Sequence, residues 1–172
     1  MSVLFGLAGG CLAPLFVFLH LLVVRSRRRF AKKLWLFKSV WPYSLAVATL
    51  TGVLLFPRLV GEYMSLSALS ALRQLFSSAP LPTSWQAISL WISLPMFAVS
   101  HFYLTAFSIC MPIPSGLVVP ILAVGAALGR LFGEEVFLLL GGSTEVQDQL
   151  PGIAAVIGAA ALVAGVTQTF ST

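Results

Sequence analysis

The chain has 172 residues, of which 59% are hydrophobic and 9% are charged, and its net charge is +5. Soluble domains hold about a quarter charged residues and need them to keep their surface solvated, so this composition excludes an ordinary soluble domain. A lipid environment removes that need. We therefore predict an all-α polytopic membrane protein that contains no soluble domain.

Charged residues are absent from long stretches of the chain. Lys, Arg, Asp and Glu do not occur in 1–24, 39–57, 74–129 or 149–172. Because a helix of about 20 residues crosses the hydrocarbon core, stretches of this length predict transmembrane helices. The predicted membrane spans are at about 3–24, 34–56, 85–109, 116–132 and 151–170.

Six of the ten basic residues lie in 25–33 (RSRRRFAKK), directly after the first predicted span. A basic run in this position is typical of a cytoplasmic loop that orients the protein in the membrane. Contact with membrane lipid headgroups is compatible with that role. A nucleic-acid partner is not predicted, because such binding needs basic residues spread over a folded face.

Apolar residues recur at three-to-four-residue spacing in the segment that follows the second span. Leu66, Leu69, Leu72 and Leu75 follow this spacing, and polar residues lie between them. The spacing predicts a short amphipathic interfacial helix at about 66–76. Such a helix lies at the membrane interface or against the helical bundle.

The segment 111–116 (MPIPSG) is the most informative feature of the sequence. Two prolines and a glycine cannot continue a helix, yet the surrounding residues remain apolar. A helix that restarts inside the membrane presents amides without helical acceptors and the positive end of its dipole. These two features bind anions without a basic side chain, and the amides from Ser115 to Val119 are the candidate donors. A simple kink with no ligand is the alternative interpretation.

Small residues follow the break at a regular spacing. Gly125, Gly129 and Gly133 recur every four residues, a pattern that allows two helix backbones to approach closely. We interpret it as close packing inside the bundle rather than as a dimer contact. Glu134 and Glu135 are predicted to lie in a loop or at a helix end.

The remaining polar residues predict little chemistry. His101 is interpreted as a hydrogen-bonded packing histidine, with a proton relay as the alternative. Arg130 is predicted to extend from near a helix end towards the interface, with an electrostatic contribution to anion binding as the alternative. Cys11 and Cys110 lie in apolar stretches and predict neither a disulfide nor a metal site. No arrangement of catalytic groups indicates an enzyme or a cofactor.

Two segments resemble one known family. Residues 112–134 (PIPSGLVVPILAVGAALGRLFGE) are similar to the signature region of CLC chloride channels and chloride/proton exchangers. Residues 151–172 (PGIAAVIGAAALVAGVTQTFST) resemble the segment that follows it in the family. The resemblance implies that the amides of Leu117 and Val118 help to coordinate chloride. The family usually has Phe at position 118, so the amide is kept here while an aromatic ring is lost.

The break and the resemblance together define the predicted chloride-binding residues. They are Ser115, Gly116, Leu117, Val118, Val119 and Pro120. The resemblance implies part of a homodimeric chloride channel for passive, anion-selective transport. Its Gly-Arg-Leu-x-Gly-Glu ending favours the plasma-membrane branch.

Three other readings of the chain stay open. The family's other anion-binding loops do not occur in this sequence, so we expect a partial chain of the CLC transmembrane bundle. A non-conducting truncated subunit that modulates full-length channels is therefore one alternative. A fragment of a chloride/proton exchanger and a fragment of an unrelated secondary transporter are the others.

Overall fold

The computed structural model describes residues 11, 14–26, 40–56, 61–86, 89–111, 116–140 and 149–170. Within these residues every regular element is helical, as the composition predicted. The elements are α1 (Pro14–Ser26), α2 (Val40–Leu54), a 3₁₀ turn (Glu62–Ser65), α3 (Ala68–Phe76), a second 3₁₀ turn (Thr83–Trp85), α4 (Leu90–Ile109), α5 (Val118–Leu140) and α6 (Leu150–Phe170).

The α5–α6 pair forms the centre of the bundle. These two helices share the most extensive contact of any pair of described elements. A Cβ added at Gly125 would lie 2.7 Å from the carbonyl oxygen of Gly158, and one added at Gly129 would meet the carbonyl oxygen of Ala154. The two backbones therefore touch along the glycine repeat, which confirms the prediction of close packing within the bundle.

The short helix α3 packs on the α5–α6 pair. Ser67 is its N-cap, and the Ser67 hydroxyl accepts a hydrogen bond from the Ser70 amide at 3.2 Å. Ala71, Leu72 and Leu75 form its buried apolar face. The helix thus lies against the bundle, which is one of the two placements that its amphipathic pattern predicted.

Packed aromatic rings join the 3₁₀ turns to α4. The ring centroids of Tyr63 and Trp85 are 5.5 Å apart, and those of Trp85 and Phe97 are 5.2 Å apart. Trp85 is fully buried, and its Nε1 donates to Oε1 of Gln74 at 2.7 Å. Burial also raises the pKa of Tyr63 above its ordinary value. Because Trp85 belongs to this cluster, α4 begins at Leu90 rather than at the predicted start of the third span.

The outer surface suits lipid. Within the described residues, α4 and the Leu150–Thr167 part of α6 are long and apolar enough to cross a membrane. Large apolar side chains also lie on the surface, where Trp41 is 85% exposed and Leu45 is 67% exposed. Such exposure is unfavourable in water and favourable in a bilayer. The architecture is therefore that of an all-α polytopic membrane protein.

One helix is longer than its predicted span. α5 runs to Leu140, past the predicted end at Phe132, so Glu134 and Glu135 lie inside a helix. Gly133 belongs to the predicted glycine repeat, and a Cβ there would lie 2.7 Å from the Pro151 Cα, so this glycine allows close packing as predicted. The helix α2 lies within its predicted span, and α6 matches its span closely. Predicted features at 3–10, 27–39, 112–115 and 141–148 lie outside the described residues.

Candidate anion site

The first turn of α5 carries the candidate anion site. The amide of Ile121 donates to the carbonyl of Leu117 at 3.3 Å, so Leu117 is the N-cap residue. The amides of an N-cap and of the following first turn have no acceptor in their own helix, and here they belong to Leu117, Val118 and Val119. Pro120 was predicted as part of the same site, but it has no amide hydrogen and can only line it.

The residues that begin α5 are accessible to a small ligand. Val118 is 49% exposed and Val119 is 40% exposed. A Cβ added at Gly116 would find no atom within 4 Å. The partial positive charge of the helix end is also unopposed in the neighbouring sequence, since no charged residue occurs in 74–129. Ser115, predicted to bind chloride, lies outside the described residues.

A cavity of about 260 Å³ adjoins the first turn of α5. Gly116, Leu117 and Pro120 line it on one side, and α4 lines the other side with residues that include His101 and Ser108. The sequence did not predict this cavity, because the packing of α2, α3 and α4 around the helix end completes it. A sequence signal for it was the spacing of His101, Thr105 and Ser108, which places three polar side chains on one face of α4.

His101 packs as predicted but is not hydrogen-bonded as predicted. Its ring lies on Phe97, with ring centroids 4.1 Å apart. Its Nε2 atom is buried and has no hydrogen-bond partner among the described residues. A packing role alone therefore leaves one polar atom of this ring unexplained.

Arg130 holds the end of α3 in place instead of extending towards the interface. Its side chain is 1% exposed. Nη1 donates to the carbonyl oxygens of Leu75, at 2.9 Å, and of Ser77, while Nη2 donates to that of Ala79 at 2.8 Å. Its Nε lies 3.4 Å from Oε1 of Glu134. The predicted interfacial position was wrong, because α5 continues past Arg130 and keeps its side chain inside the bundle.

The same contacts bear on the proposed electrostatic role of Arg130. Its donors are used by the carbonyls at the C-terminal end of α3, where a positive charge also complements the helix dipole. It lies about 18 Å along α5 from Val118, at about 1.5 Å of rise per residue. Arg130 is therefore a structural residue, and the sequence signal for it was an Arg and a Glu four residues apart.

A bundle whose helix restarts in an apolar, charge-free segment defines a polytopic membrane protein with a candidate anion site at a helix N-terminus. A family profile described as voltage gated chloride channel matches residues 1–172. The chain belongs to this CLC family of voltage-gated chloride channels, as its two signature segments predicted.

Several curated relatives have comparable similarity. The chain is 30% identical to chloride channel protein clh-3 of Caenorhabditis elegans over 204 aligned residues, covering 98% of this chain and 20% of the relative. It is 34% identical to chloride channel protein F of Dictyostelium discoideum, over 79% of this chain and 18% of the relative. Chloride channel protein 1 of Homo sapiens is 32% identical, over 97% of this chain and 19% of the relative. The chain thus spans about a fifth of the length of these relatives.

Proposed function

We propose that the chain forms part of a chloride channel that mediates passive, anion-selective transport. In this proposal the amides of Leu117 and Val118 coordinate a chloride ion at the start of α5. The observation that carries it is a helix N-terminus placed among apolar, uncharged residues with its first turn exposed. A helix end of this kind attracts an anion and donates hydrogen bonds to it.

Backbone amides suit transport because they bind an anion without trapping it. A fully charged partner such as Arg would bind chloride more tightly and slow its release. Conduction needs binding that compensates for the lost hydration shell but still permits exit. Val118 supplies an amide and an aliphatic side chain at the site, so ion coordination depends on the backbone while the side chain sets the width of the path.

The proposal also includes a location in the plasma membrane and assembly as a homodimer. The Gly-Arg-Leu-x-Gly-Glu ending of the segment 112–134 favours the plasma membrane. A homodimer requires a contact surface other than the glycine repeat, since Gly125 and Gly129 are already used by the contact between α5 and α6.

A proline substitution at Val118 tests the backbone-amide site. Val118 is the first residue of α5, a position where proline is tolerated and removes the amide hydrogen without breaking a helical hydrogen bond. Because a hydrogen bond to a charged group contributes about 1.5–3 kcal/mol, Val118→Pro is expected to weaken chloride binding roughly tenfold or more. The measurement is calorimetric titration of the purified chain in detergent with chloride.

Val118→Ala is the matched control, because it shortens the same side chain and keeps the amide. We expect it to bind chloride like the original chain. The same pair is then compared by chloride flux from liposomes, in a chimera where this chain replaces the matching segment of human chloride channel protein 1. Equal binding and equal flux in the proline and alanine variants would contradict the proposal.

A further inference from the structure

A groove with a volume of about 190 Å³ opens between α1, α4 and α5. Leu15 of α1 and Val124 and Leu128 of α5 form two of its sides, and α4 supplies the remaining described residues of its lining. Among these lining residues none is charged. Because an apolar cavity does not hold water well, the occupant that suits this α1–α4–α5 groove is itself apolar.

The walls of the groove are held by ring packing between α1 and α4. Phe16 is buried, and its ring packs edge-on against that of Phe102, with ring centroids 5.0 Å apart. The Phe102 ring packs edge-on against Tyr103 in turn, with ring centroids 6.2 Å apart. Ala98 is buried beside these rings, and its small side chain leaves space that a larger residue would fill. The groove is therefore a feature with a defined shape.

The C-terminal ends of α1 and α4 lie on the same side of the bundle. Val23 of α1 and Cys110, which follows α4, belong to one buried cluster. The Cys110 Sγ atom also lies 3.9 Å from Nδ1 of His20 in α1. The two helices thus run in the same direction, and distances measured back along them from these ends are comparable.

Both helices place the groove at the same depth. Leu15 precedes Arg25 in α1 by ten positions, and Val99 precedes Ile109 in α4 by ten positions. At about 1.5 Å of rise per residue, each separation is about 15 Å along the helix. The hydrocarbon core of a bilayer is about 30 Å thick, so about 15 Å is the depth of one leaflet. The groove therefore lies where the acyl chains of that leaflet end.

An exposed face of α1 connects the groove to a positive charge. Its residues recur every three or four positions, which places them on one side of the helix, and they are Leu15, Phe18, Leu22 and Arg25. The sequence contains no Asp or Glu before Glu62, so no carboxylate near Arg25 in the chain offsets its charge. An apolar face that ends in an arginine complements an acyl chain that ends in a phosphate.

We propose that this face and the α1–α4–α5 groove form a binding site for one anionic phospholipid. Its phosphate contacts Arg25, and one acyl chain follows the exposed face of α1 and ends in the groove. The site is independent of the backbone-amide site, because the groove shares no described lining residue with the cavity beside the first turn of α5. A lipid that fills the groove adds packing contacts between α1, α4 and α5, so it is expected to stabilise the bundle.

Native mass spectrometry tests the site by counting retained lipids. The purified chain is returned to bilayers that contain equal amounts of phosphatidylglycerol and phosphatidylcholine, and is then extracted in mild detergent. The original chain is expected to retain one phosphatidylglycerol molecule, with a severalfold preference over phosphatidylcholine. Its unfolding temperature is expected to rise when phosphatidylglycerol is added back, and to rise less with phosphatidylglycerol whose acyl chains are too short to reach the groove.

Val99→Trp tests the groove by filling it. Val99 is 54% exposed, so a larger side chain fits without disturbing the core. This variant is expected to lose the retained lipid. Ile92→Trp is the matched control, because Ile92 is a similarly exposed residue of α4 and is not among the described lining residues. Helicity and gel filtration check folding, and Val99→Phe, which adds less volume, decides the question if Val99→Trp does not fold.

Arg25→Gln tests the headgroup contact. It is expected to keep room for the acyl chain but to lower the preference for phosphatidylglycerol severalfold, because glutamine cannot pair with a phosphate as an ion. Arg73→Gln is the matched control, since Arg73 is an exposed arginine at the end of another helix. This control is expected to retain phosphatidylglycerol like the original chain.

Three outcomes would overturn the proposal. Retention of phosphatidylglycerol by Val99→Trp at the original level would show that the groove does not hold the acyl chain. Equal retention of the two lipids by the original chain, or an unchanged preference in Arg25→Gln, would remove the anionic headgroup from the site. Equal losses in Val99→Trp and Ile92→Trp would indicate ordinary annular lipid only. None of these outcomes changes the expected effect of Val118→Pro on chloride binding.

Discussion

Replacement of Arg130 by Met is expected to lower the free energy of unfolding by about 3–5 kcal/mol, as for loss of one partner from a buried charged network. The guanidinium group is the donor to the carbonyl oxygens of Leu75, Ser77 and Ala79. Without it these carbonyls lose their partner, and Glu134 loses its ion pair. The measurement is thermal unfolding in detergent, followed by helicity.

Arg73→Met is the matched control for the change in charge. Arg73 lies in the last turn of α3, where its side chain is exposed. Its loss removes only a favourable interaction with the helix dipole, about 0.3–1 kcal/mol. The loss of unfolding free energy in Arg130→Lys is expected to lie between those of Arg130→Met and Arg73→Met. An ammonium group cannot reach all the carbonyl oxygens that the planar guanidinium group contacts. Equal unfolding temperatures for Arg130→Met and Arg73→Met would show that the buried contacts contribute nothing.

Gly129→Ala is expected to destabilise the chain by about 1–3 kcal/mol, in the range of overpacked cores. The added methyl group would meet the backbone of α6 at Ala154, which cannot move aside as a flexible side chain can. The helices α5 and α6 would have to separate, and the bundle would lose its closest contact. Thermal unfolding in detergent measures the change.

Gly52→Ala makes the same chemical change with the opposite expected sign. Gly52 lies in α2, and a Cβ added there would find nothing within 4 Å. Alanine in a helix interior loses less backbone entropy on folding than glycine, so this variant is expected to be more stable by about 0.5–1 kcal/mol. Equal stabilisation of both variants would mean that helix propensity, rather than the α5–α6 contact, governs the response.

Both predictions concern α5, so they also bear on the anion site. Arg130 fixes the middle of this helix to α3, and Gly129 fixes it to α6. The first turn at Val118 is the free end of the same rigid element. A variant that shifts α5 is therefore expected to weaken chloride binding indirectly, whereas Val118→Pro acts on the amide itself.

Local features of the sequence predicted the helical fold and the first turn of α5. The low charge and the long apolar stretches indicated a membrane bundle, because each residue's preference for lipid is independent of its neighbours. The prolines at 112 and 114 and the glycine at 116 required a break, because backbone geometry is a local property. The spacing of Gly125, Gly129 and Gly133 predicted close packing, because a repeat of small residues every four positions is also a local feature of the sequence.

The tertiary structure decided what the polar residues do. The position of Arg130 near a presumed helix end suggested an interfacial residue, but its acceptors at Leu75, Ser77 and Ala79 lie more than 50 positions away in the chain. The partners of a long side chain depend on which helices pack together, and no local pattern contains that information. The end of α5 was also misjudged, because the helix continues past Phe132 to Leu140 and packs against α6 at Gly133 and Pro151.

The candidate anion site depends both on the local sequence and on the packing of separate helices. The sequence by itself determined that the first amides of α5 lack helical acceptors, because a proline-containing break precedes them. Only the packing of α2, α3 and α4 around that helix end placed His101 and Ser108 at the wall of the same cavity. The amides follow from the chain's own backbone chemistry, whereas the cavity exists because separate helices meet there.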